Sequence, residues 1–441
     1  MCHRHPHSLA TEHLVVVGNG MAGHRLVDAL VRQPGRPPRI TVIGAERVPA
    51  YNRILLSPLL AGEMSHDDLT LRGTDWYAEN DIDLILGECV TDIDRQARCL
   101  TTDAGRTLDY DRLVLATGSR PAMPPIPGLE LDGVHAFRDL DDAAELIRFS
   151  RGRATAEGGR AVVIGGGLLG LEAAEGLRKR GLAVTLIQRD DRLMNRQLDT
   201  TAATLLQREL EGRGIEVITG GHIAGLEDDG DGQVAAVRLE GGRRLAADGV
   251  VVAIGIAPNA ELGRTGGLEV NRAVIVDETL TSSDPAIHAL GECCEFQGTT
   301  YGLVEPIWRQ VEVLAAHLAG EPVDGHVEAR YVEKPCATRL KVSGVSLYAF
   351  GPTEPDLDHE VLTYHDPQQG DYRRLLVRNG RIEGAVLYGD TTMGPWYFEH
   401  SLTGTDLGPC RQALLLGATD AQVRLDDAAT DSPTRPVKEA A

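Results

Sequence analysis

Two short glycine-rich segments constrain this chain more than anything else in it. Gly18-Asn-Gly20-Met-Ala-Gly23 follows the apolar, β-branched run His13-Leu-Val-Val-Val17 and opens Met21-Ala-Gly-His-Arg-Leu-Val-Asp-Ala-Leu30. Gly165-Gly-Gly167-Leu-Leu-Gly170 follows Arg160-Ala-Val-Val-Ile164 and opens an alanine-containing segment from Leu171 to Arg180. Each reads as strand, tight turn and helix. Arg39-Ile-Thr-Val-Ile43 and Ala183-Val-Thr-Leu-Ile187 supply the next strands, so each segment opens a βαβ unit with parallel strands. In that context the glycines let a pyrophosphate approach the backbone, and the helix start offers it oriented N–H groups. One G-x-G-x-x-G is weak evidence. Two in one chain point to two dinucleotide sites.

The residues after the second strands separate the two sites. Ile43-Gly-Ala-Glu46 ends with an acid placed for ribose hydroxyls, whereas Ile187 is followed by Gln188 and Arg189. Gln188 can hydrogen-bond a ribose, and Arg189 can pair with a 2′-phosphate. The choice between NADH and NADPH therefore stays open, with a slight lean to NADH.

Leu113-Val-Leu-Ala-Thr-Gly118 and Val250-Val-Val-Ala-Ile-Gly255 are paired strand-to-glycine segments that bound the second unit, and Gly291-Glu292 closes a late strand. They make the second nucleotide domain an insert within the first. The fold class is α/β, with two Rossmann-like domains and a C-terminal α+β domain. Residues 13–124 and 248–325 form the split domain, 125–247 the insert and 326–418 the C-terminal domain. Gly118–Gly128, with four prolines, reads as a linker. Residues 1–12 and 419–441 read as flexible ends.

Composition excludes other classes. The formal net charge is -21, and Arg151-Gly-Arg153 and Arg178-Lys179-Arg180 are too short to form a basic stripe, so nucleic acid is not an expected partner. No stretch approaches the ~18–20 apolar residues of a membrane span. The N-terminus has no apolar signal core, and seven cysteines without one suit reduced thiols in a cytoplasm. Cys2, His3, His5 and His7 carry ligating side chains, but such a tail reads as a mobile terminus and no metal site is expected.

The paired segments resemble the pyridine-nucleotide-disulfide reductase superfamily, in which the first fingerprint holds FAD and the second the nicotinamide nucleotide. Further motifs narrow the likeness: Leu14-Val-Val-Val-Gly-Asn-Gly-Met-Ala-Gly23, Ala50-Tyr-Asn-Arg-Ile-Leu-Leu-Ser-Pro-Leu-Leu-Ala-Gly-Glu63, Arg192-Leu-Met-Asn-Arg-Gln-Leu-Asp199, Gly291-Glu-Cys293, Tyr301-Gly-Leu-Val-Glu-Pro306 and Gly394-Pro-Trp-Tyr-Phe398. From about residue 13 to 418 the chain resembles the flavoprotein part of the assimilatory nitrite reductase large subunit and the electron-transfer subunits of assimilatory nitrate reductases.

That resemblance implies cofactor-binding roles for Gly18, Gly20, Gly23, Glu46, Arg53, Ala116, Thr117, Gly118, Gly291, Glu292, Gly165, Gly167, Gly170, Gln188, Arg189 and Gly255. It places Glu172 near nicotinamide and flavin as a candidate catalytic residue. Two departures matter. The chain reaches residue 441 without cysteine-rich iron–sulfur or sirohaem segments, and Cys89, Cys99, Cys336 and Cys410 lack cluster spacing. Electrons are therefore expected to leave for a partner, an iron–sulfur nitrate or nitrite reductase subunit. The loop Arg53-Ile-Leu-Leu-Ser57-Pro58 also lacks the redox cysteine of disulfide and persulfide reductases and the lysine of ferredoxin reductases.

Cys293-Cys294 reads as a structural pair, because adjacent cysteines close only a strained ring. Trp396-Tyr-Phe398 reads as packing, and Trp308 has the better case for a place beside the flavin. Three functions remain open: a reductase component of nitrate or nitrite assimilation, a ferredoxin- or rubredoxin-type reductase, and a non-catalytic FAD-binding redox sensor.

Overall fold

The computed structural model describes residues 12–153, 158–320, 329–342, 344–417 and 421–425. Cys2, His3, His5 and His7 lie outside them. The chain divides into two units: Met1–Pro124 with Ala136–Arg148 and Ile254–Lys334, and Pro125–His135 with Phe149–Ala253 and Pro335–Ala441.

The first unit is built on a parallel sheet of β1 (His13–Val17), β2 (Arg39–Gly44), β3 (Ile82–Leu86), β4 (Arg112–Leu115) and the late strand Ile287–Ala289. Their order is Ile287–Ala289, β4, β1, β2, β3. β1 lies in the middle and pairs in parallel with β2 and β4, and Leu14, Val15 and Val16 are fully buried. A parallel strand covered on both faces reads as a continuous apolar run, which is what His13–Val17 is. Helix α1 (Met21–Val31) packs against the helix Val304–Ala319, adding Leu26, Leu30, Val311 and Leu314 to the core.

Helix α2 (Leu140–Arg153) begins with a reciprocal cap. Asp142 Oδ2 accepts from the Arg138 N–H (2.6 Å), and Asp139 Oδ1 accepts from the Asp142 N–H (2.9 Å). Burial, reinforced by the Asp139 charge, raises the Asp142 carboxyl to about 6.

The second unit carries β5 (Arg160–Ile164), α3 (Leu168–Lys179), β6 (Ala183–Ile187), α4 (Thr200–Gly212) and β7 (Gly249–Val252). With Glu216–Ile218 and Val134–His135 the strands form a second parallel sheet, in the order Glu216–Ile218, β6, β5, β7, Val134–His135. The same unit holds an antiparallel sheet of β8 (Thr338–Val342), β9 (Val345–Phe350), β10 (Glu360–Asp366), β11 (Asp371–Arg378) and β12 (Arg381–Tyr388), ordered β8, β9, β12, β11, β10. Helix α5 (Gly394–Thr403) follows it, and Tyr397, Leu375 and Leu387 are fully buried in its core.

Several boundaries differ from the sequence reading. Gly249–Val252, expected in the split domain from residue 248, hydrogen-bonds along β5 and belongs to the second unit. The left-handed Gly255 (φ 126°) separates this strand from the next, Ile256–Pro258. Ala136–Arg148, expected in the insert, groups with the first unit. The stretch read as a linker opens with a strand, Ser119–Pro121, paired antiparallel with Ile256–Pro258. Helix α3 starts at Leu168, three residues before the expected Leu171, because Gly167 is its N-cap. The described residues from Pro335 onward group with the second unit.

Candidate functional site: two glycine loops

The two loops have the same construction. Gly18 (φ 116°) and Gly165 (φ 114°) take backbone conformations that L side chains rarely adopt, and each donates its N–H to the neighbouring strand, to Ile43 O and Ile187 O, both at 2.8 Å. A Cβ on Gly23 would sit 2.0 Å from Gly18 O, and one on Gly170 would sit 1.8 Å from Gly165 O. The third glycine is thus required for helix to meet strand. At the second glycine the reason is different: a Cβ on Gly20 or Gly167 would meet nothing within 4 Å. These two positions face open space at the start of a helix with no side-chain cap and no acid in its first turn. That arrangement fits a phosphate, which needs close backbone approach and free N–H groups.

Around the first loop the expected residues converge. Ala116 O lies where a Gly18 Cβ would fall, 2.1 Å away, and Gly291 Cβ would lie 3.2 Å from Ala22 Cβ. Gly291 N donates to Gln310 Oε1 at 2.8 Å, and Gln310 is fully buried on the helix Val304–Ala319. Thr117 Oγ1 donates to Asn259 O (2.8 Å) while Asn259 Nδ2 donates back to Thr117 O (2.9 Å). Gly118 takes a positive φ of 65°, and Gly255 holds the strand beside it, its carbonyl accepting from the Ala122 N–H at 3.0 Å.

Carboxylates and guanidinium groups line the same region. Glu46 accepts from Tyr51 Oη (2.7 Å) and pairs with Arg53, whose guanidinium lies 5.4 Å from the Tyr51 ring centroid. Burial pushes the Tyr51 hydroxyl well above its usual pKa. Glu292 accepts from Ser119 Oγ (2.8 Å) and pairs with Arg138. Tyr51, Ser119, Arg138, Gln310 and Asn259 were missed by sequence reasoning. Each acts on a partner far along the chain or through an unremarkable motif, so no local signal marks it.

Behind the loop, Tyr77 Oη donates to Asn19 Oδ1 (2.9 Å) and is itself 2.9 Å from His24 Nδ1. A hydroxyl has one proton, so His24 Nδ1 is the donor in this chain. Burial lowers His24 to about 4 and raises Tyr77 to about 12, keeping both neutral.

Cys293 and Cys294 are free, fully buried thiols. Cys293 Sγ has Leu290 O (3.3 Å) and Leu115 O (3.4 Å) as acceptors for its one proton, and Cys294 Sγ donates to Gly291 O (3.2 Å). Burial raises both thiols above their ordinary pKa, so they tie down the Gly291 turn. Trp308 packs on the first core beneath Arg25, and Trp396 donates from Nε1 to Gln422 Oε1 at 2.8 Å.

At the second loop the amide of Gln188 is already engaged. Its Oε1 accepts from the Gly166 N–H (2.8 Å), and its Nε2 donates to Asp190 Oδ2 (3.0 Å). Arg189 stands out in solvent, 76% exposed, 3.8 Å from Asp190. Glu172 lies half-buried near the start of α3.

Two parallel sheets, each with a left-handed glycine, an open glycine and a jammed glycine before a bare helix end, have the build of a protein with two dinucleotide sites. The Pyridine nucleotide-disulphide oxidoreductase family model matches residues 12–316, and the chain belongs to that family, as an FAD-dependent NAD(P)H oxidoreductase. The Rubredoxin NAD+ reductase C-terminal domain model matches 336–400. The chain is 42% identical to Nitrite reductase [NAD(P)H] of Bacillus subtilis (strain 168) over 88% of its length and 46% of that protein. It is 39% identical to the Assimilatory nitrate reductase electron transfer subunit of the same organism, over 86% of this chain and 48% of that one. It therefore spans about half the length of these curated relatives. Among solved structures, the covalent putidaredoxin reductase–putidaredoxin complex aligns with a TM-score of 0.83 and 27% identity, covering 96% of this chain and 100% of that one.

Proposed function

We propose that this chain is a flavoprotein reductase that oxidises NAD(P)H and hands electrons to an iron–sulfur partner in nitrate or nitrite assimilation. The carrying observation is the duplicated loop, in which Gly20 and Gly167 are open and unobstructed while their neighbours are locked. Gly18, Gly20 and Gly23, with the N-terminal turn of α1, would hold the FAD diphosphate, Glu46 the adenosine ribose, and the Ala116–Gly118 and Gly291–Glu292 turns the flavin half. Gly165, Gly167 and Gly170 would hold the nicotinamide nucleotide. Bound FAD supplies two-electron uptake from a nicotinamide and one-electron release. The protein's part is to bind, align and keep water out, and no side chain need shuttle a proton.

NADH is the donor this reading favours. Asp190 and Asp191 flank the exposed Arg189, where they oppose a 2′-phosphate. The six described cysteines are all free, which suits a reducing, cytoplasmic setting. Glu172, placed by resemblance beside the nicotinamide, would tune hydride transfer; Glu172→Gln is expected to slow flavin reduction without loss of FAD.

Anaerobic titration with NADH and separately with NADPH tests the proposal. Stoichiometric bleaching of flavin absorbance by NADH supports it, while retained colour with both nucleotides leaves a non-catalytic FAD-binding sensor. The C-terminal match to rubredoxin reductases and the likeness to the putidaredoxin reductase complex favour a second reading, a ferredoxin- or rubredoxin-type reductase. Turnover with a ferredoxin, and none with a nitrate or nitrite reductase partner, would select it.

A further inference from the structure

The motif Arg192-Leu-Met-Asn-Arg-Gln-Leu-Asp199 has no role in the site described above, yet it is held at both ends. At one end this segment is fastened to the second glycine loop. Met194 N donates to Gly166 O at 2.9 Å, and Leu193 lies where a Gly166 Cβ would fall, 2.5 Å from its Cδ2. Asp190 holds the start of the segment, accepting from Gln188 Nε2 and from Asn195 Nδ2, both at 3.0 Å. Met194 itself has a φ of 47°, a left-handed conformation that costs a non-glycine residue energy and persists only where the surroundings enforce it.

At its other end the segment is fastened to the antiparallel sheet. Asp199 is 5% exposed and serves two structures at once. Its Oδ1 caps α4 by accepting from the Ala202 N–H (3.2 Å). Its Oδ2 accepts from Tyr372 Oη (2.5 Å) and lies 3.1 Å from Arg374 Nη1, both on β11. Between the ends, Arg192 donates from Nε to Leu198 O (3.2 Å) and pairs through Nη2 with Glu354 (3.0 Å). Burial and the Asp199 charge raise the Tyr372 pKa, so its hydroxyl stays a donor.

We infer that residues 190–199 form a strap that couples the nucleotide loop to the C-terminal sheet, with Asp199, Tyr372 and Arg374 as positioning residues for nicotinamide-nucleotide binding. The inference rests on the reading of the second loop as the NAD(P)H site. The strap's strained Met194 sets the Gly166 carbonyl, and thereby the loop whose next residue is the open Gly167. Releasing the far anchor lets Met194 relax, and the loop loses its preorganised shape although no residue that faces the ligand has changed. Coupling of this kind is reciprocal: a nucleotide that stiffens the loop also stiffens the anchor.

The test uses the holoprotein and NADH, or whichever nicotinamide bleaches the flavin. Asp199→Asn keeps an acceptor for the α4 cap but turns an amide N–H toward Tyr372 and Arg374, and Tyr372→Phe removes one anchor bond. The nicotinamide KM is expected to rise about fivefold or more in each, within the usual range of coupling between sites, with FAD content and kcat held. Amide hydrogen exchange is the second readout. NADH should slow exchange in residues 371–378 of the wild type and not in Asp199→Asn. A purely structural Asp199 would lower the unfolding temperature and leave both KM and that protection as in wild type, which would overturn the inference. A wild type that binds neither nicotinamide would overturn the reading of the loop itself.

Discussion

At the residue scale, the two open glycines and the two jammed ones have opposite reasons to be glycine, and substitution separates them. Gly167 has a φ of -86° with nothing within 4 Å of a Cβ, so Gly167→Ala is expected to leave the unfolding temperature unchanged and weaken the nicotinamide nucleotide about tenfold or more, by blocking backbone approach. Gly170→Ala puts a methyl 1.8 Å from Gly165 O, forcing helix from strand, and is expected to destabilise the unliganded protein by about 1–3 kcal/mol. Thermal unfolding of both variants beside NADH titrations checks the contrast. Arg189 gives a third case: it is exposed and lies a long 3.8 Å from Asp190, so Arg189→Ala is expected to leave the NADH KM within about twofold, as surface changes do. A large rise in the NADPH KM alone would show that Arg189 reads a 2′-phosphate.

At the scale of elements, the cap of α2 contains a carboxyl that works against its own charge. The ordinary Asp value is 3.8, and in the fold Asp142 is raised to about 6. The folded protein therefore holds this proton more tightly than the unfolded chain. The stability it contributes is complete below about 4 and is lost as pH rises through about 6, where ionisation opposes folding. Asp142→Asn keeps an acceptor for the Arg138 and Asp139 N–H groups and removes the charge. Its unfolding temperature is expected to exceed that of wild type at pH 8 and to match it near pH 4, as paired thermal melts would show.

On the scale of the whole molecule, each unit has its own buried core, Leu14 to Tyr331 in the first and the Val162 and Tyr348 clusters in the second. Ligands that bind only the folded state stabilise it by mass action, about 2.7 kcal/mol at a hundredfold excess over Kd. Calorimetry is expected to show excess FAD raising the transition of the first unit and NADH that of the second. One transition moved by both ligands would show that the units unfold together.

The sequence by itself determined the repeated strand–loop–helix, because that information is local. His13–Val17, Arg160–Ile164 and Ala183–Ile187 stand where their apolar runs put them, and three glycines at fixed offsets suffice to specify each turn. The α/β class and the family follow from those segments. Tertiary structure alone decided what lies between the motifs. Arg138 meets Glu292 across 154 residues and Tyr372 meets Asp199 across 173, and neither pair has a periodicity or spacing to reveal it. Nor could composition show that Gln188, free to greet a ribose on paper, has both amide atoms bound within the protein. A backbone turn is specified by the residues that make it, whereas a side chain's partner is set by which distant segments burial brings together.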